Sequence, residues 1–416
     1  MIEFIKKLDF EGRLARERQL NTLITDEHSF DWVWESDFVE WLRWDAKVFW
    51  IAGKPASGKS TLVNHIMKHC RTKEVVEETL GDDIVIAKFF FDFRAKSGLS
   101  NNFEGLRRSL LHQLLTNSRT LASDVMQHFG VNCLDGQIML ADATVFEYAL
   151  NRNDRFTLLF VDGLDEYEGY KSELLSLIDK ITKFKVKVCL SSRFEKPSTT
   201  TFKDLRFQFR MEELNKPGIY AYAKRMFETT LRPSNDKEQL TLTSASRDIA
   251  NSSSGVFLWA RFAVLDVINR VCEGHQIEYG WVRTIIHSMP PELKDVYARI
   301  FQSMRDKDKN ASGIILALID SAVGLDLEIS ELFEATLLAG NLFRSLGDNI
   351  NAEDLSNFRL YLETVGAGLI HCFSRDSDDD DGAERYVFQP VIYVTMIHRS
   401  LKTYLDSAGW RQLLGE

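Results

Sequence analysis

The stretch Lys47-Val-Phe-Trp-Ile-Ala-Gly53-Lys-Pro-Ala-Ser-Gly58-Lys59-Ser60 decides the fold. It opens with an apolar run rich in β-branched and aromatic residues, which predicts a buried strand. The residues after that run match the pattern G-x-x-x-x-G-K-[ST], and residues 59–69 then repeat apolar positions at helical spacing. A strand, a glycine-rich loop and a helix in this order predict a loop whose backbone N–H groups surround a phosphate.

This loop supplies most of the predicted nucleotide site. We expect the Lys59 ammonium to contact the β and γ phosphates of ATP or ADP and the Ser60 hydroxyl to ligate Mg²⁺. A glycine-rich turn that binds nothing is the alternative. The residues predicted to bind the nucleotide here are Gly53, Lys54, Pro55, Ala56, Ser57, Gly58, Lys59, Ser60 and Thr61.

An acidic cluster ends a second apolar run, Leu158-Leu-Phe-Val-Asp162-Gly-Leu-Asp165-Glu166. We expect its strand to neighbour the strand of the phosphate loop, so that the Asp162 carboxylate joins the Mg²⁺ site. Asp165 and Glu166 are predicted to be catalytic, because they could orient or deprotonate the attacking water. A buried strand that simply ends in aspartate is the structural alternative.

A third apolar run ends in Leu190-Ser-Ser-Arg193, which would bring a guanidinium to the same edge of the sheet. The planar fork of an arginine suits a γ-phosphate, and Arg193 is therefore predicted to be a catalytic, phosphate-sensing residue. A surface or helix-capping arginine is the alternative. The stretch Asn215-Lys-Pro-Gly departs from the guanine-reading pattern N-K-x-D at its fourth place, which favours adenine.

Short apolar runs alternate with helical patterns through the first half of the chain, which is typical of a parallel sheet with crossover helices. The predicted fold class is therefore α/β, with a P-loop NTPase sheet covered by helices on both faces. The further strands are predicted at residues 84–91, 157–161, 186–190 and, more weakly, 206–209. The further helices are predicted at residues 103–115 and 171–184.

Helical patterns alone follow, at residues 219–231, 255–273 and 291–304. Near the end, residues 368–373 and 385–388 predict a β-hairpin, and residues 397–404 predict a helix. We therefore predict four segments: a leader that packs on the core, a nucleotide-binding domain, a helical domain and a winged-helix-like domain, at residues 1–45, 46–211, 212–306 and 307–416.

Charge and composition argue against several classes of protein. The chain of 416 residues has 51 Lys and Arg against 61 Asp and Glu, a net charge of −10, and nucleic acid is therefore not an expected partner. The five cysteines show no metal-binding or redox spacing, and no uncharged run is long enough for a transmembrane helix. No secretory signal is visible at the start, so we expect a soluble, cytoplasmic protein.

These motifs resemble the NACHT-type signal-transduction ATPases of fungi, which are related to nucleotide-binding immune receptors. The similarity covers nearly the whole chain. Besides the phosphate loop and the acidic cluster, it rests on Ser191-Ser-Arg, Gly255-Val-Phe-Leu-Trp-Ala-Arg, Ile397-His-Arg-Ser-Leu-Lys-Thr-Tyr-Leu and the leader stretch His28-Ser-Phe-Asp-Trp. One departure is Ala56, which stands where the fungal loop commonly has glycine.

The resemblance implies a molecular switch that is closed with ADP and oligomerises with ATP, with slow Mg²⁺-dependent hydrolysis, in signalling, an immunity-like response or cell death. It further implies that His398 contacts the β-phosphate of ADP in the closed state. A helix histidine satisfied by its own neighbours is the alternative there. A homo-oligomer and effector or sensor domains outside this chain are the implied partners.

Two other function classes stay open. One is an AAA-like working ATPase, and the other is a nucleotide-binding module without significant turnover. The charge of residues 301–416, which contain 10 Lys and Arg against 19 Asp and Glu, argues against a DNA-loading version of the first class.

Overall fold

The chain forms two compact units, Met1–Ala221 and Tyr222–Glu416. This computed structural model describes residues 2–10, 13–21, 29–81, 83–92, 98–130, 143–196, 198–322, 327–340, 352–374 and 391–410. No helix among these residues is long and apolar enough to cross a membrane. The finer division into four segments stays a prediction.

The first unit is built on a five-stranded sheet in which all pairings are parallel. The spatial order is β2-β3-β4-β1-β5, so β4 lies between the strand of the phosphate loop and the strand of the acidic cluster. The strands are β1 Val48–Ala52, β2 Ile84–Phe90, β3 Phe156–Asp162, β4 Val186–Ser192 and β5 Gln208–Arg210.

Helices cover both faces of this sheet, as the sequence predicts. Along β1, Trp50 and Ala52 belong to one apolar core, whereas Phe49 and Ile51 belong to the other. This alternation follows from the period of two residues in a strand. The first core also contains residues of α1 Ile2–Leu8, α6 Phe103–Asn117, α7 Arg119–His128, α8 Ala143–Arg152, α9 Lys171–Ile181 and α10 Ser198–Phe202.

The second core contains the part of the leader from Leu20 to Leu42 and the helix of the phosphate loop. Phe38 and Trp41 are buried in it against Phe49 of β1, and Trp34 packs on Phe38. The tryptophan-rich leader therefore packs on the sheet. The helices on this side are α2 Ala15–Asn21, α3 Asp37–Arg43, α4 Lys59–Lys68, α5 Cys70–Leu80 and α11 Met211–Leu214.

Lys187 of β4 fastens α3 to the sheet. Its side chain is almost fully buried, and its Nζ donates to the carbonyl oxygens of Trp41 at 2.6 Å, of Leu42 at 2.9 Å and of Trp44. The last carbonyl groups of a helix have no partner within the helix, so a buried ammonium can satisfy them.

The second unit is mainly helical, and α12 Lys216–Leu231 begins in the first unit and ends in the second. Two helices that the sequence did not predict, α13 Asp236–Ser252 and α15 Tyr279–Ser288, pack against each other. The remaining helices are α14 Phe257–Cys272, α16 Leu293–Ser303, α17 Asp306–Ser321, α18 Ile329–Gly340, α19 Ala352–Val365 and α20 Arg399–Tyr404.

A two-stranded antiparallel ribbon of β6 Ile370–Ser374 and β7 Ile392–Met396 precedes α20. Residues 385–388, predicted as the second strand, and the acidic loop before them lie outside the described residues. The prediction of a helix over residues 397–404 is wrong at its start. The ribbon extends to Met396 and His398 is extended, with φ −162° and ψ 152°, so α20 begins only at Arg399.

Candidate functional site

The phosphate loop joins β1 to α4, as the sequence predicts. Gly58 precedes α4 with φ 96°, a left-handed conformation that glycine adopts without a Cβ clash. Ala56 is also left-handed, with φ 59°. This conformation costs an alanine about 1–2 kcal/mol because of its Cβ, which explains why a glycine suits this position. A Cβ on Gly53 would lie 2.8 Å from Met211 Cβ, so only glycine fits between the loop and α11.

Lys59 lies inside the curve of the loop. Its Nζ donates to the carbonyl oxygens of Gly53 and Lys54, both at 2.9 Å. Burial lowers the pKa of Lys59 from its ordinary value, while the charges of Asp165 and Asp162 act in the opposite direction. The ammonium is therefore held inside the loop, within range of the carboxylates at and just after the end of β3.

Asp162 ends β3 and is almost fully buried. The expectation that β3 neighbours β1 is wrong, because β4 is inserted between them. Ser191 of β4 spans this gap: its Oγ donates to Asp162 Oδ1 and accepts from the backbone N–H of Gly163 at 3.2 Å. The Ser60 side chain also lowers the pKa of Asp162, so the first turn of α4 lies near the carboxylate.

The charge of Asp162 is balanced by several groups. Burial raises the pKa of Asp162, whereas the hydrogen bonds of Ser191 and Ser60 and the positive charges of Arg16 and Lys59 lower it. A buried carboxylate close to a serine hydroxyl has the oxygen ligands that a divalent cation prefers.

Asp165 and Arg193 form an ion pair at the carboxyl edge of the sheet. The Arg193 Nε lies 2.9 Å from Asp165 Oδ2, and the Arg193 backbone N–H donates to Asp165 Oδ1 at 3.0 Å. Glu166 ends a short 3₁₀ turn that starts at Leu164, and its backbone N–H donates to Gly163 O at 2.7 Å. The three residues predicted to be catalytic thus lie together.

The segment after β5 closes the other side of the phosphate loop, which sequence reasoning missed. Asn215 Nδ2 donates to Ser57 O at 3.0 Å, and Glu212 Oε2 accepts from the Lys54 backbone N–H at 3.2 Å. Asn215 is almost fully buried. The sequence offered Asn215 only as part of a failed guanine motif, so its contact with the loop had no local signal.

His398 lies in the second unit, where it caps α20. Its Nδ1 accepts from the Ser400 backbone N–H at 3.0 Å and lies 2.9 Å from Ser400 Oγ. Ser400 Oγ is in turn 2.7 Å from the hydroxyl of Tyr297. The contact of His398 with a nucleotide stays a prediction.

No cluster of three or more His, Cys, Asp or Glu side chains that could hold a metal ion exists within the described part of the chain. A magnesium ion that travels with a nucleotide does not need one, because one or two protein ligands and the phosphates hold it. Ser60 and Asp162, the residues predicted to hold Mg²⁺, have the oxygen donors that this ion prefers.

The family described as Nephrocystin 3, N-terminal, matches residues 28–193, which run from the leader through the phosphate loop to Arg193. No protein among the curated ones matches the sequence.

Solved structures similar to this chain include ORC and Cdc6 proteins. ORC1 of Aeropyrum pernix in complex with DNA is 12% identical, with a TM-score of 0.33, over 95% of this chain and 96% of that chain. Drosophila ORC bound to DNA is 14% identical, with a TM-score of 0.38, over 94% and 90%. Cdc6p of Pyrobaculum aerophilum is 11% identical, with a TM-score of 0.36, over 93% and 94%.

The class of the first unit follows from its own geometry. It has a phosphate loop between a strand and a helix, a buried aspartate at the end of a second strand, and a third strand inserted between these two. A parallel sheet covered on both faces carries these parts at one edge. The first unit is a P-loop NTPase domain.

Proposed function

We propose that this protein is a NACHT-type molecular switch that binds ATP and ADP, is closed with ADP, and oligomerises with ATP. The phosphate loop, with the Lys59 ammonium held inside it, and the buried carboxylate of Asp162 carry the nucleotide part of this proposal. They are the two motifs that a magnesium-nucleotide complex requires, and β4 supplies Ser191 to orient the carboxylate.

The residues present fit a magnesium-nucleotide complex. Ser60 and Asp162 would hold the ion, since hydroxyl and carboxylate oxygens are the ligands that Mg²⁺ prefers. Bound there, the ion would neutralise charge on the phosphates. The Lys59 ammonium lies inside the loop at the N-terminus of α4, and this terminus and the ammonium would bind the β and γ phosphates.

Slow hydrolysis fits the arrangement of the acidic residues. Asp165 accepts two hydrogen bonds from Arg193, so both of its oxygens already have a protein partner. Glu166 is therefore the better candidate to orient the attacking water. Release of Arg193 from Asp165 would be needed before its guanidinium could contact a γ-phosphate.

The switch itself rests on the resemblance to the fungal NACHT ATPases. His398 is proposed to hold the closed state through the β-phosphate of ADP, and ATP is proposed to favour a homo-oligomer in the cytoplasm. Signalling to an effector or from a sensor, and the absence of nucleic acid among the partners, belong to the same proposal.

A nucleotide-binding module without turnover is the second candidate. The ion pair between Asp165 and Arg193 favours it, because this pair occupies two of the three residues that hydrolysis would use.

The two candidates separate when turnover and molar mass are measured on the same preparation. The switch predicts slow ATP hydrolysis, a monomer in ADP and a larger species in a non-hydrolysable ATP analogue with Mg²⁺. A module without turnover predicts nucleotide binding with no hydrolysis and one mass in both nucleotides. An AAA-like working ATPase predicts fast turnover. Absence of all nucleotide binding would refute every version.

A further inference from the structure

The phosphate loop is held from outside by α11 and by the start of α12. Glu212 Oε2 accepts from the backbone N–H of Lys54 at 3.2 Å, and Asn215 Nδ2 donates to Ser57 O at 3.0 Å. Both contacts reach backbone atoms of the loop, one near its beginning and one just before Gly58. The segment after β5 therefore depends on the course of the loop backbone rather than on the side chains that the loop carries.

The backbone of Lys54 is held on two sides. Its N–H donates to Glu212, whereas its carbonyl oxygen accepts from Lys59 Nζ at 2.9 Å and from the Ser57 N–H at 3.3 Å. The Lys59 ammonium is also proposed to bind the phosphates, and a charged phosphate oxygen is a stronger acceptor than a carbonyl oxygen. A bound nucleotide would therefore draw Lys59 from Lys54 and change the turn that ends at Ser57.

Asn215 joins this turn to a helix. Its Nδ2 binds Ser57 O, and its own carbonyl oxygen accepts from the Ile219 N–H at 3.0 Å in the first turn of α12. Asn215 is 2% exposed, so water does not compete for the Ser57 contact. A Cβ on Gly218 would lie 2.3 Å from Ser29 O, so the same turn of α12 lies directly against the leader backbone. Asn215 is thus fixed on the helix side and reaches the loop with its amide.

We propose that Asn215 is a positioning residue, which transmits the occupancy of the phosphate loop to the start of α12. This inference rests on the proposed nucleotide binding. A nucleotide that orders the loop makes the hydrogen bond between Ser57 and Asn215 easier to keep, and the bond in turn favours the ordered loop, because such coupling is reciprocal. Residues 215–221 are the last of the first unit, so the bond carries the state of the nucleotide site to the point where the chain leaves that unit.

The test is amide hydrogen exchange, read by mass spectrometry with and without saturating ADP and Mg²⁺. In the wild type, ADP should slow exchange in residues 53–61, which form the loop, and also in residues 215–221. For the second segment we expect a slowing of about two- to tenfold, which is the effect of one buried hydrogen bond.

Two variants remove the amide donor. Asn215→Ala should lose the slowing in residues 215–221 and keep the slowing in residues 53–61. The ADP affinity of this variant should also fall by about two- to tenfold, because the coupling acts in both directions. Asn215→Asp keeps the size of the side chain but faces the Ser57 carbonyl with an acceptor, so we expect the same effects.

Asn153→Ala is the matched control. Asn153 is also buried, and its Nδ2 donates to Arg155 O at 3.0 Å and to Thr157 Oγ1 at 3.1 Å. These contacts lie at the start of β3, whereas Asp162 ends that strand. The variant loses a buried amide of the same kind away from the loop, and ADP should still slow exchange in both segments.

The outcomes separate this inference from the proposed function. A wild type in which ADP slows exchange in residues 53–61 alone would overturn the role of Asn215 while nucleotide binding stands, and this result needs no folded variant. Slowing in residues 215–221 that persists in the Asn215 variants would overturn it too, as would its loss in Asn153→Ala, because any destabilisation would then suffice. A wild type that binds no ADP would overturn the proposed function as well.

Discussion

Asp165 accepts two hydrogen bonds from Arg193, one from Nε to Oδ2 at 2.9 Å and one from the backbone N–H to Oδ1 at 3.0 Å. Both side chains are largely withdrawn from water, with 11% of Asp165 and 24% of Arg193 exposed. The pair therefore joins the ends of β3 and β4 at the edge where the nucleotide is proposed to bind.

Arg193→Ala should lower the free energy of unfolding by about 1.5–3 kcal/mol, because Asp165 then loses a charged hydrogen-bond donor. Denaturant unfolding monitored by fluorescence measures this change. Lys183→Ala is the control, since Lys183 pairs with Asp179 on an exposed surface, where a pair contributes about 0–1 kcal/mol. Equal destabilisation by both variants would mean that the Asp165–Arg193 pair stabilises the fold no more than an exposed surface pair does.

Glu166→Gln should spare ATP binding and suppress hydrolysis, because a residue that orients or deprotonates water acts in the transition state. Single-turnover hydrolysis and calorimetry on one preparation measure the two quantities. Glu168→Gln makes the same change two positions further on, at an exposed residue, and should leave both unchanged. Hydrolysis by Glu166→Gln at the wild-type rate would exclude Glu166 as that residue.

His398→Leu should release ADP faster and populate oligomers without a trigger, if His398 holds the closed state. The structure adds a complication, because His398 also caps α20, and loss of a cap costs about 1 kcal/mol. His398→Asn separates the two roles, since asparagine is a good capping residue and lacks the imidazole. A faster ADP off-rate in both variants supports the clamp, whereas a change in His398→Leu alone assigns the residue to capping.

Asp162→Asn should raise the thermal unfolding midpoint when Mg²⁺ and nucleotide are absent. Burial raises the pKa of Asp162, so the ionised carboxylate destabilises the folded state at pH values above that pKa. The native state then binds the proton more readily than the unfolded chain, and wild-type stability gains as pH falls towards the ordinary aspartate range. The difference in unfolding midpoint between Asp162→Asn and the wild type should therefore become smaller as the pH is lowered. A variant less stable than wild type at pH 7 would contradict this.

Local signals account for the parts of the site that the sequence predicted. The phosphate loop is encoded in consecutive residues, because a strand, two left-handed positions at Ala56 and Gly58 and a helix start follow one another. The strand that ends in Asp162 is likewise a continuous apolar run. Such features need no information about distant residues, which is why the α/β class and the loop could be predicted.

The parts that were missed depend on contacts between distant residues. The position of β4 between β1 and β3 is a property of strand order, and it brings Ser191 to Asp162 across 29 residues. Asn215 reaches Ser57 across 158 residues. The start of α20 was placed two residues too early, because β7 continues to Met396 and His398 serves as a cap. None of these contacts has a periodic signature in the sequence.

The most direct test of the account is a calorimetric titration of ADP into the wild-type protein and into Lys59→Ala. Lys59 Nζ contacts the carbonyl oxygens of Gly53 and Lys54, so circular dichroism must first establish that the variant is folded. Lys73→Ala, on the exposed side of α5, is the control for loss of one lysine. The account predicts that the wild type and Lys73→Ala bind ADP and that Lys59→Ala loses most of this affinity. Equal ADP affinity in a folded Lys59→Ala variant would contradict it.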